Sequence, residues 1–346
     1  MLYIFRAEVA QLEELTGQRL KHDIITGTGM VLVPAGTVLN QEHLRLLRLH
    51  RISAEELRFS EERPQPMFPT AETVKQAADY SKHMFQQIRL KKKIPLLDIK
   101  HEFIPLVRQA AEDPDLFRLF ETVRAKDEYT HQHNVGVSVL STMLGKWCKL
   151  DEQELNLLAL GATLHDVGKI RIPDDILNKP GKLTASEFEE MKRHTIYGYE
   201  MLKEVVGLNP RVAFMALQHH ERDDGSGYPL KLKGPQIDKL SRIVAVADVF
   251  HAMSSNRPYH TPLPFHELIS QMRLGIFGEL DPHMVSLFLK NLLGSMIGKQ
   301  VLLSDGRYGE VVYINPHEET YPLVKVDNLF VDLSRERNLR ISKIII

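Results

Sequence analysis

Residue types that bind metal ions occur at five places between residues 133 and 248. They are His133, His165–Asp166, His194, His219–His220 and Asp248. Each one alone has an ordinary explanation, such as a histidine at a helix end or a capping carboxylate. Together they supply five imidazoles and two carboxylates on largely apolar helices, where unpaired polar groups are costly. This is a ligand set for two ions.

The ligand types limit which metals the site could bind and which reaction it could catalyse. Nitrogen and oxygen ligands without a thiolate suit iron or manganese, with zinc as a further option, and argue against calcium or an iron–sulfur cluster. Two ions roughly 3.5–4 Å apart are commonly used to hydrolyse phosphoesters, because they lower the pKa of a bridging water and stabilise the entering and leaving oxygens. The expected cofactors are therefore two divalent metal ions.

One apolar stretch positions the central pair of ligands. Residues 157–169, LLALGATLHDVGK, predict a buried helix that ends on His165 and Asp166, with Gly168 placed to stop it. Adjacent helical side chains point about 100° apart, so the two residues diverge towards neighbouring ions, or Asp166 bridges them. Lys169 follows Asp166 by three residues, so its ammonium is expected on the same side, within reach of a phosphate oxygen.

The pattern around this stretch is helical from residue 70 to about residue 292. Before it, short β-prone runs broken by glycine and proline, followed by one amphipathic helix, predict a small α/β module. After Gly298, β-rich runs and an Asp305-Gly306 hairpin signal predict a small β-barrel or meander. The predicted fold is mainly α. Its expected parts are residues 1–62, a linker and connecting helix at 63–99, a helical domain at 100–292 and a β module at 293–346.

Bulk properties restrict the partners and the compartment. The 346 residues include 44 basic and 45 acidic ones, so no overall field favours a nucleic-acid polymer or an anionic membrane. Cys148 is the only cysteine, which excludes an internal disulfide and suits a reducing cytosol. Acidic residues come too early for a secretory signal, and no apolar run approaches the roughly 20 residues that span a bilayer. A cytoplasmic protein without direct membrane insertion is expected.

The ordered motifs resemble those of one family. YTHQH, LHDVGKIRIPDDILNKPGKLT, MKRH, QHHERDDGSGYP and AVADVF with SSNRPYH closely resemble the HD-GYP branch of the HD phosphohydrolases. The resemblance covers residues 100–292 and is specific, because several spaced motifs occur in order. It implies an HD-type all-α bundle and hydrolysis of cyclic di-GMP to linear pGpG, or further to GMP.

The resemblance also implies which residues bind each ion. The first ion would be bound by His133, His165, Asp166 and Asp248. The second ion would be bound by Asp166, His194, His219 and His220. Asp166 is then the bridging ligand, and hydrolysis would use a hydroxide held between the two ions, with Asp166 and Lys169 as catalytic residues.

The residues expected to bind the substrate also follow from the resemblance. They are Tyr129, Lys169, Arg222, Arg257 and the GYP loop of Gly225, Gly227, Tyr228 and Pro229. A guanidinium suits a phosphate or stacks on a base. The loop glycines permit tight turns and close approach of backbone N–H groups to a phosphate. A purely structural turn is the alternative for this loop.

Three positions depart from the family pattern. His251 stands where the family usually has Asp; it is expected to perturb Asp248 without being a ligand. His260 follows RPY, where a basic residue is common. Tyr129 stands one helical turn before His133, where some members have a Glu that binds a third ion. Because a phenol with a pKa near 10 is a poor ligand, two metals are expected, with Tyr129 hydrogen-bonding in the site or simply packing.

Two other functions remain open at this point. The chain could be a cyclic dinucleotide sensor with little turnover, or a phosphodiesterase for another cyclic dinucleotide. The intact ligand set and Lys169 favour an enzyme over a sensor. A homodimer is a further expectation, because Met84, Phe85 and Ile88 could pack on the next helices or on a second subunit.

Overall fold

The computed structural model describes the chain in two compact units, residues Met1–Pro69 and Thr70–Ile346. The described residues are 15, 18, 20–25, 31–34, 37, 39, 41–50, 52, 57, 70–113, 115–123, 129–255, 265–274, 278–315, 318 and 320–345. Among them, no helix combines the length and the apolar character needed to cross a bilayer.

The first unit has its own small core. Strands β1 (Ile24–Ile25) and β2 (Val31–Val33) pair antiparallel, and helix α1 (Gln41–Leu49) follows them. Leu44 and Leu47, one turn apart on α1, are buried in a cluster with the strand residues. An α/β module is therefore observed where the alternation of short β-prone runs and one amphipathic helix predicts it.

The second unit is mainly helical. Its helices are α2 (Thr70–Lys91), α3 (Leu96–Asp98), α4 (Ile104–Ala110), α5 (Leu116–Val123), α6 (Tyr129–Trp147), α7 (Glu152–Leu164), α8 (Asp174–Leu177), α9 (Ala185–Lys192), α10 (His194–Lys203), α11 (Pro210–Gln218), α12 (Lys239–Ser254), α13 (Phe265–Leu274) and α14 (Pro282–Gly294). A π-helical turn, Ile99–Phe103, joins α3 to α4, and 3₁₀ turns cover Val167–Arg171 and Gly234–Gln236.

Two of the helices that carry the candidate ligands, α7 and α12, begin at side-chain caps. The carboxylate of Asp151 accepts the backbone N–H of Glu154 at 2.8 Å and starts α7. Asp238 accepts the N–H of Leu240 at 2.8 Å and starts α12. Each cap satisfies an N–H group that has no partner within its helix, so these caps set where each helix begins.

Helices α6, α7 and α12 form the centre of the second unit. Helix α6 packs on both α7 and α12, and α11 packs on α7 and α10. Every residue from Leu158 to the end of α7 is buried, as the apolar sequence predicts. A helix buried on all sides holds the groups at its end in a fixed position, because close-packed neighbours leave little room for movement.

The predicted helical region is described as separate helices. Residues 124–128, between α5 and α6, lie outside the described part. Arg193 ends α9 and directly precedes α10. His194 is therefore the first residue of a helix.

The C-terminal strands form one antiparallel sheet. They are β3 (Gln300–Leu303), β4 (Tyr308–Tyr313), β5 (Leu323–Val326), β6 (Leu329–Asp332) and β7 (Ile341–Ile344). Their order is β6-β5-β4-β3-β7, and the predicted Asp305-Gly306 turn joins β3 to β4. The mainly α fold class is confirmed. Strands β6 and β7 lie at the two edges, so the described sheet is an open meander with β7 added rather than a closed barrel.

The sheet shares its core with the helices. Val301, Leu303, Val311 and Val324 belong to the same cluster of buried side chains as the helical residues. Met84, Phe85 and Ile88 on α2 are buried in this cluster too, so of the two options for these residues the structure shows packing on neighbouring helices. The domain boundaries at residues 62 and 292 stay predictions.

A shortened chain tests this shared core. We expect residues 70–295 to aggregate or to lose their cooperative thermal transition, because the helices would lose several buried aliphatic partners. Each such partner contributes roughly 1.5–3 kcal/mol, and the whole stability of a domain is about 5–15 kcal/mol. Residues 70–346 are the control and should unfold cooperatively when followed by circular dichroism. A cooperative transition in the shorter chain at the temperature of the control would contradict this view.

Candidate metal centre

All seven predicted ligands lie together in the second unit. Three are on helices and four come directly after helix ends. His133 is on α6, Asp248 is on α12, and His194 is the first residue of α10. The other four follow helix ends: His165 and Asp166 come directly after α7, and His219 and His220 directly after α11. Six are buried, and His220 is half-buried. Five helices thus bring their ligands to one enclosed place.

Asp166 lies at the middle of this group. Its Oδ2 is 3.3 Å from Nε2 of His165 and 3.7 Å from Nε2 of His133. Its Oδ1 is 3.3 Å from Nε2 of His194 and 3.8 Å from Nε2 of His219. The two oxygens of one carboxylate therefore face two different sets of imidazole nitrogens. A carboxylate in this arrangement is suited to bridge two cations.

The candidate ligand atoms form two sets, and within each set all the atoms lie within 4.8 Å of one another. The sets are His133, His165 and Asp166, and His194, His219 and His220. Each is part of one of the two ligand groups that the family resemblance implies. Asp248 adds a second carboxylate to the first set, with Oδ1 3.1 Å from Nε2 of His133.

Backbone carbonyls orient three of the imidazole rings. In each ring, Nδ1 lies 2.6–3.0 Å from a carbonyl oxygen three residues earlier in the chain. The pairs are His165 with Ala162, His194 with Met191 and His219 with Ala216. A carbonyl oxygen only accepts, so Nδ1 must carry the proton, and Nε2 of the neutral ring then has a lone pair. All three Nε2 atoms face Asp166, ready to bind a cation.

The Nε2 lone pairs of these neutral rings are suited to bind a metal cation and have few other partners. Burial lowers the pKa of His194 to about 4 and holds the pKa of His219 well below its usual range, so both rings are neutral at pH 7. Their Nε2 atoms face each other at 3.3 Å, where neither can donate. Among the described residues, the buried Nε2 of His165 and Oδ1 of Asp166 make no hydrogen bond. Cations between these atoms would satisfy all of them.

Lys169 pairs with the central carboxylate. It lies in the 3₁₀ turn, and its Nζ is 2.5 Å from Oδ2 of Asp166. Burial alone would raise the pKa of Asp166, but the Lys169 ammonium and the His165 ring lower it well below the usual value. Asp166 is therefore ionised. About a quarter of the Lys169 side chain is exposed, so the ammonium lies between the buried ligands and solvent.

Gly168 has a different role from the predicted one. It does not end α7, which stops at Leu164, and its φ is not positive. A Cβ at this position would lie 1.9 Å from the carbonyl oxygen of His194 and 2.4 Å from the backbone nitrogen of Gly198. The prediction of a helix stop is wrong. The missing side chain lets the turn that carries Asp166 lie directly against the start of α10.

The GYP loop follows α11 and lies beside the second ligand set. The ring of Tyr228 stacks on His220, with 4.7 Å between centroids and 24° between planes. Burial raises the pKa of the Tyr228 phenol, so it stays neutral. Gly225 has a φ of +85°, and a Cβ on Gly227 would lie 2.5 Å from Cα of Glu221. Both glycines of the GYP loop are required by the backbone path itself, whatever they do for a ligand.

Glu221 anchors this loop and is absent from the predicted site. Its side chain is buried, and its two oxygens accept the N–H groups of Leu230 and Leu232 at 2.6 and 2.9 Å. Arg222 next to it donates to the carbonyl of Glu221 at 3.0 Å. The signal available in the sequence was a carboxylate directly after the His219–His220 pair, where an unpaired buried charge is costly.

Some predicted residues cannot be placed. Arg257 and His260 lie outside the described residues. Tyr129 is the first residue of α6, but its side chain is outside them too. His251 is described, and its ring contacts His133, with 3.1 Å between the Nδ1 atoms. The structure thus shows a contact of His251 with another candidate ligand, and the expected perturbation of Asp248 stays a prediction.

Comparison with known proteins identifies the family. A model of the HD domain matches residues 108–282, just over half of the chain, and this range includes all seven candidate ligands. This chain belongs to the HD domain family. The resemblance derived from the spaced motifs is therefore confirmed.

Two proteins with similar sequences are named as enzymes. Cyclic di-GMP phosphodiesterase PA4108 of Pseudomonas aeruginosa is 39% identical over 210 residues, 60% of this chain and 50% of that protein. The 3′3′-cGAMP-specific phosphodiesterase 1 of Vibrio cholerae is 39% identical over 170 residues, 49% of this chain and 39% of that protein. The chain thus spans half or less of these relatives.

The solved structure supports the fold. Bd1817, described as an HDG"Y"P protein from Bdellovibrio bacteriovorus, superposes with a TM-score of 0.55 at 15% identity. The superposition covers 80% of this chain and 95% of that one. At this identity the likeness concerns the fold alone.

Replacing Gly168 tests the close contact beneath Asp166. We expect Gly168→Ala to lower the free energy of unfolding by about 1–3 kcal/mol or more, because the added methyl overlaps backbone atoms that cannot move aside. The metal content should fall with it, since the turn carries Asp166. Gly294→Ala is the matched control, because a Cβ there meets nothing within 4 Å. Equal unfolding midpoints and metal contents for the two variants would contradict this role of Gly168.

Proposed function

We propose that this chain is a phosphodiesterase that hydrolyses cyclic di-GMP with the help of two divalent metal ions. The observation that carries the proposal is Asp166, whose two oxygens face two separate sets of histidine nitrogens. The relative from Pseudomonas aeruginosa, named a cyclic di-GMP phosphodiesterase, supports the substrate. Nitrogen and oxygen ligands support iron or manganese, with zinc as a third option.

The residues that would hold the two ions are those already described. One ion would take His133, His165, Asp166 and Asp248, and the other Asp166, His194, His219 and His220. Two ions held in this way lower the pKa of a water molecule and stabilise charge on the phosphoryl oxygens. The chain contributes the orientation: backbone carbonyls fix three rings, and the ionised Asp166 stays between the two sets.

Lys169 is the residue we assign to the phosphate. Its ammonium lies against Asp166 at the boundary between the buried ligands and solvent, which is where a phosphodiester must approach. There it can donate to a non-bridging oxygen and stabilise the negative charge that develops during hydrolysis. Cleavage of one of the two phosphodiester bonds of the cyclic substrate gives pGpG, and cleavage of the second gives GMP.

The GYP loop supplies the adjoining surface for the nucleotide. Tyr228 stacks on His220, so a substrate that contacts the loop also lies next to the second ligand set. The neutral phenol of Tyr228 can hydrogen-bond the substrate, and Arg222 is half-buried beside it. Tyr129 and Arg257 stay predictions as further substrate contacts.

A second candidate differs only in the bases of the substrate. The relative from Vibrio cholerae, named a 3′3′-cGAMP-specific phosphodiesterase, supports a mixed adenine–guanine dinucleotide for this chain. The two substrates have the same phosphodiester groups, so the metal centre and Lys169 serve both. A cytoplasmic location and a homodimer stay predictions.

Substitution of Asp166 tests the proposed phosphodiesterase activity. Asp166→Ala should abolish turnover, because it removes a ligand from both ions. The assay is product analysis after anaerobic incubation with Mn²⁺ and either cyclic di-GMP or 3′3′-cGAMP, and excess chelator should stop wild-type turnover. Wild-type protein that holds two metals and binds the dinucleotide without hydrolysing it would be a sensor instead.

Substitution of Lys169 separates the chemistry from metal binding. Lys169→Ala should keep its two metals but lower kcat about 10²–10³-fold, as expected for the loss of one group that stabilises transition-state charge. Lys290→Ala, an exposed lysine on α14, is the control and should behave as wild type. An unchanged kcat in the Lys169 variant would remove this residue from the mechanism.

A further inference from the structure

His251 occupies a buried place next to the first ligand set. It lies on α12, one turn after Asp248, and its side chain is fully buried. Its Nε2 is 2.9 Å from the backbone oxygen of Val123. Its Nδ1 is 3.1 Å from Nδ1 of His133 and 3.4 Å from the hydroxyl oxygen of Ser255. The ring therefore bridges the end of α5 and the ligand on α6.

These contacts decide which nitrogen of His251 carries a proton. The carbonyl of Val123 only accepts, so Nε2 of His251 must donate to it. In the neutral ring, Nδ1 then has a lone pair and accepts. The group that faces it at 3.1 Å is Nδ1 of His133, which can donate a proton to it. Nε2 of His133 lies 3.1 Å from Oδ1 of Asp248, and a divalent ion bound by both atoms requires the lone pair on Nε2 and hence the proton on Nδ1.

His133 differs from the three candidate ligands whose rings are oriented by backbone carbonyls. His165, His194 and His219 each donate Nδ1–H to a carbonyl three residues earlier. For His133, the imidazole of His251 takes the place of that carbonyl. The family that this chain resembles usually has Asp at this position; in this chain an imidazole stands there.

Gly136 supplies an independent observation. It lies on α6, three residues after His133, and a Cβ there would be 2.1 Å from Nε2 and 2.2 Å from Cδ2 of His251. Any larger residue would displace the ring from both of its hydrogen-bond partners. Alanine is otherwise better than glycine within a helix by about 1 kcal/mol. The glycine is thus explained by the space that the imidazole needs.

We propose that His251 is a positioning residue that fixes the Nδ1-protonated form of His133 and so prepares its Nε2 to bind a divalent ion. The proposal rests on the two-metal centre of the proposed function. It concerns only the first ion, because His251 contacts no residue of the set formed by His194, His219 and His220 among the contacts of the described residues.

Metal binding without substrate tests the proposal. In calorimetric titrations of metal-free protein with Mn²⁺, His251→Leu should weaken one of the two sites about 10–100-fold, as is usual when the partner of a ligand is lost. The other site should keep its affinity. His251→Asn retains an acceptor near the position of Nδ1, so it should stay within a few fold of wild type.

Gly136→Ala should also weaken one site, and the double variant Gly136→Ala/His251→Asn should recover it, because the shorter side chain leaves room for the methyl group. Gly294→Ala is the control for a glycine change in a helix. Long-range ¹H–¹⁵N spectra of Zn²⁺-loaded wild-type protein should show His133 protonated at Nδ1.

Three outcomes would overturn the role of His251. These are wild-type affinities in His251→Leu, equal losses in His251→Leu and His251→Asn, or His133 protonated at Nε2. Wild-type protein that binds no Mn²⁺ would instead overturn the two-metal centre, so the two failures can be distinguished.

Discussion

The buried carboxylate of Asp166 is the constraint on which the site depends. A charged group is costly in a protein interior unless neighbouring charges and hydrogen bonds compensate it. Here four imidazole nitrogens lie within 3.8 Å of its oxygens, and the ammonium of Lys169 pairs with one of them. Because the His194 and His219 rings are neutral, the ammonium of Lys169 supplies positive charge at the carboxylate. Bound cations would compensate the carboxylate further.

The ligands stand mostly at helix ends, and this explains how so few residues enclose the site. A helix end leaves carbonyl oxygens without partners in the helix. His165 and His219 use such carbonyls to hold their rings, so the backbone gains a donor and the imidazole gains a fixed orientation. Capping of the helix and preparation of the ligand are therefore the same interaction. For His133, in the interior of α6, the group that faces Nδ1 is the imidazole of His251 on another helix.

The parts that could be predicted from sequence are those set by local pattern. The apolar run before His165 predicts a buried helix, Asp305-Gly306 predicts a hairpin, and the spaced motifs predict the seven candidate ligands. What could not be predicted depends on contacts between distant segments. Gly168 reads as a helix stop until the backbone of His194 is seen against it. The contact of His251 with His133 joins residues 118 positions apart, which no local pattern encodes.

The GYP loop and the second ligand set are in contact, and Glu221 holds the loop in place. Its carboxylate accepts from the backbone after Pro229, while the same stretch places Tyr228 on His220. Residues proposed to contact the substrate and candidate metal ligands thus lie on one short segment after α11. Because Glu221 is buried and its oxygens accept two N–H groups, the backbone of this segment is fixed by the chain itself, and such preorganisation lowers the cost of binding a ligand.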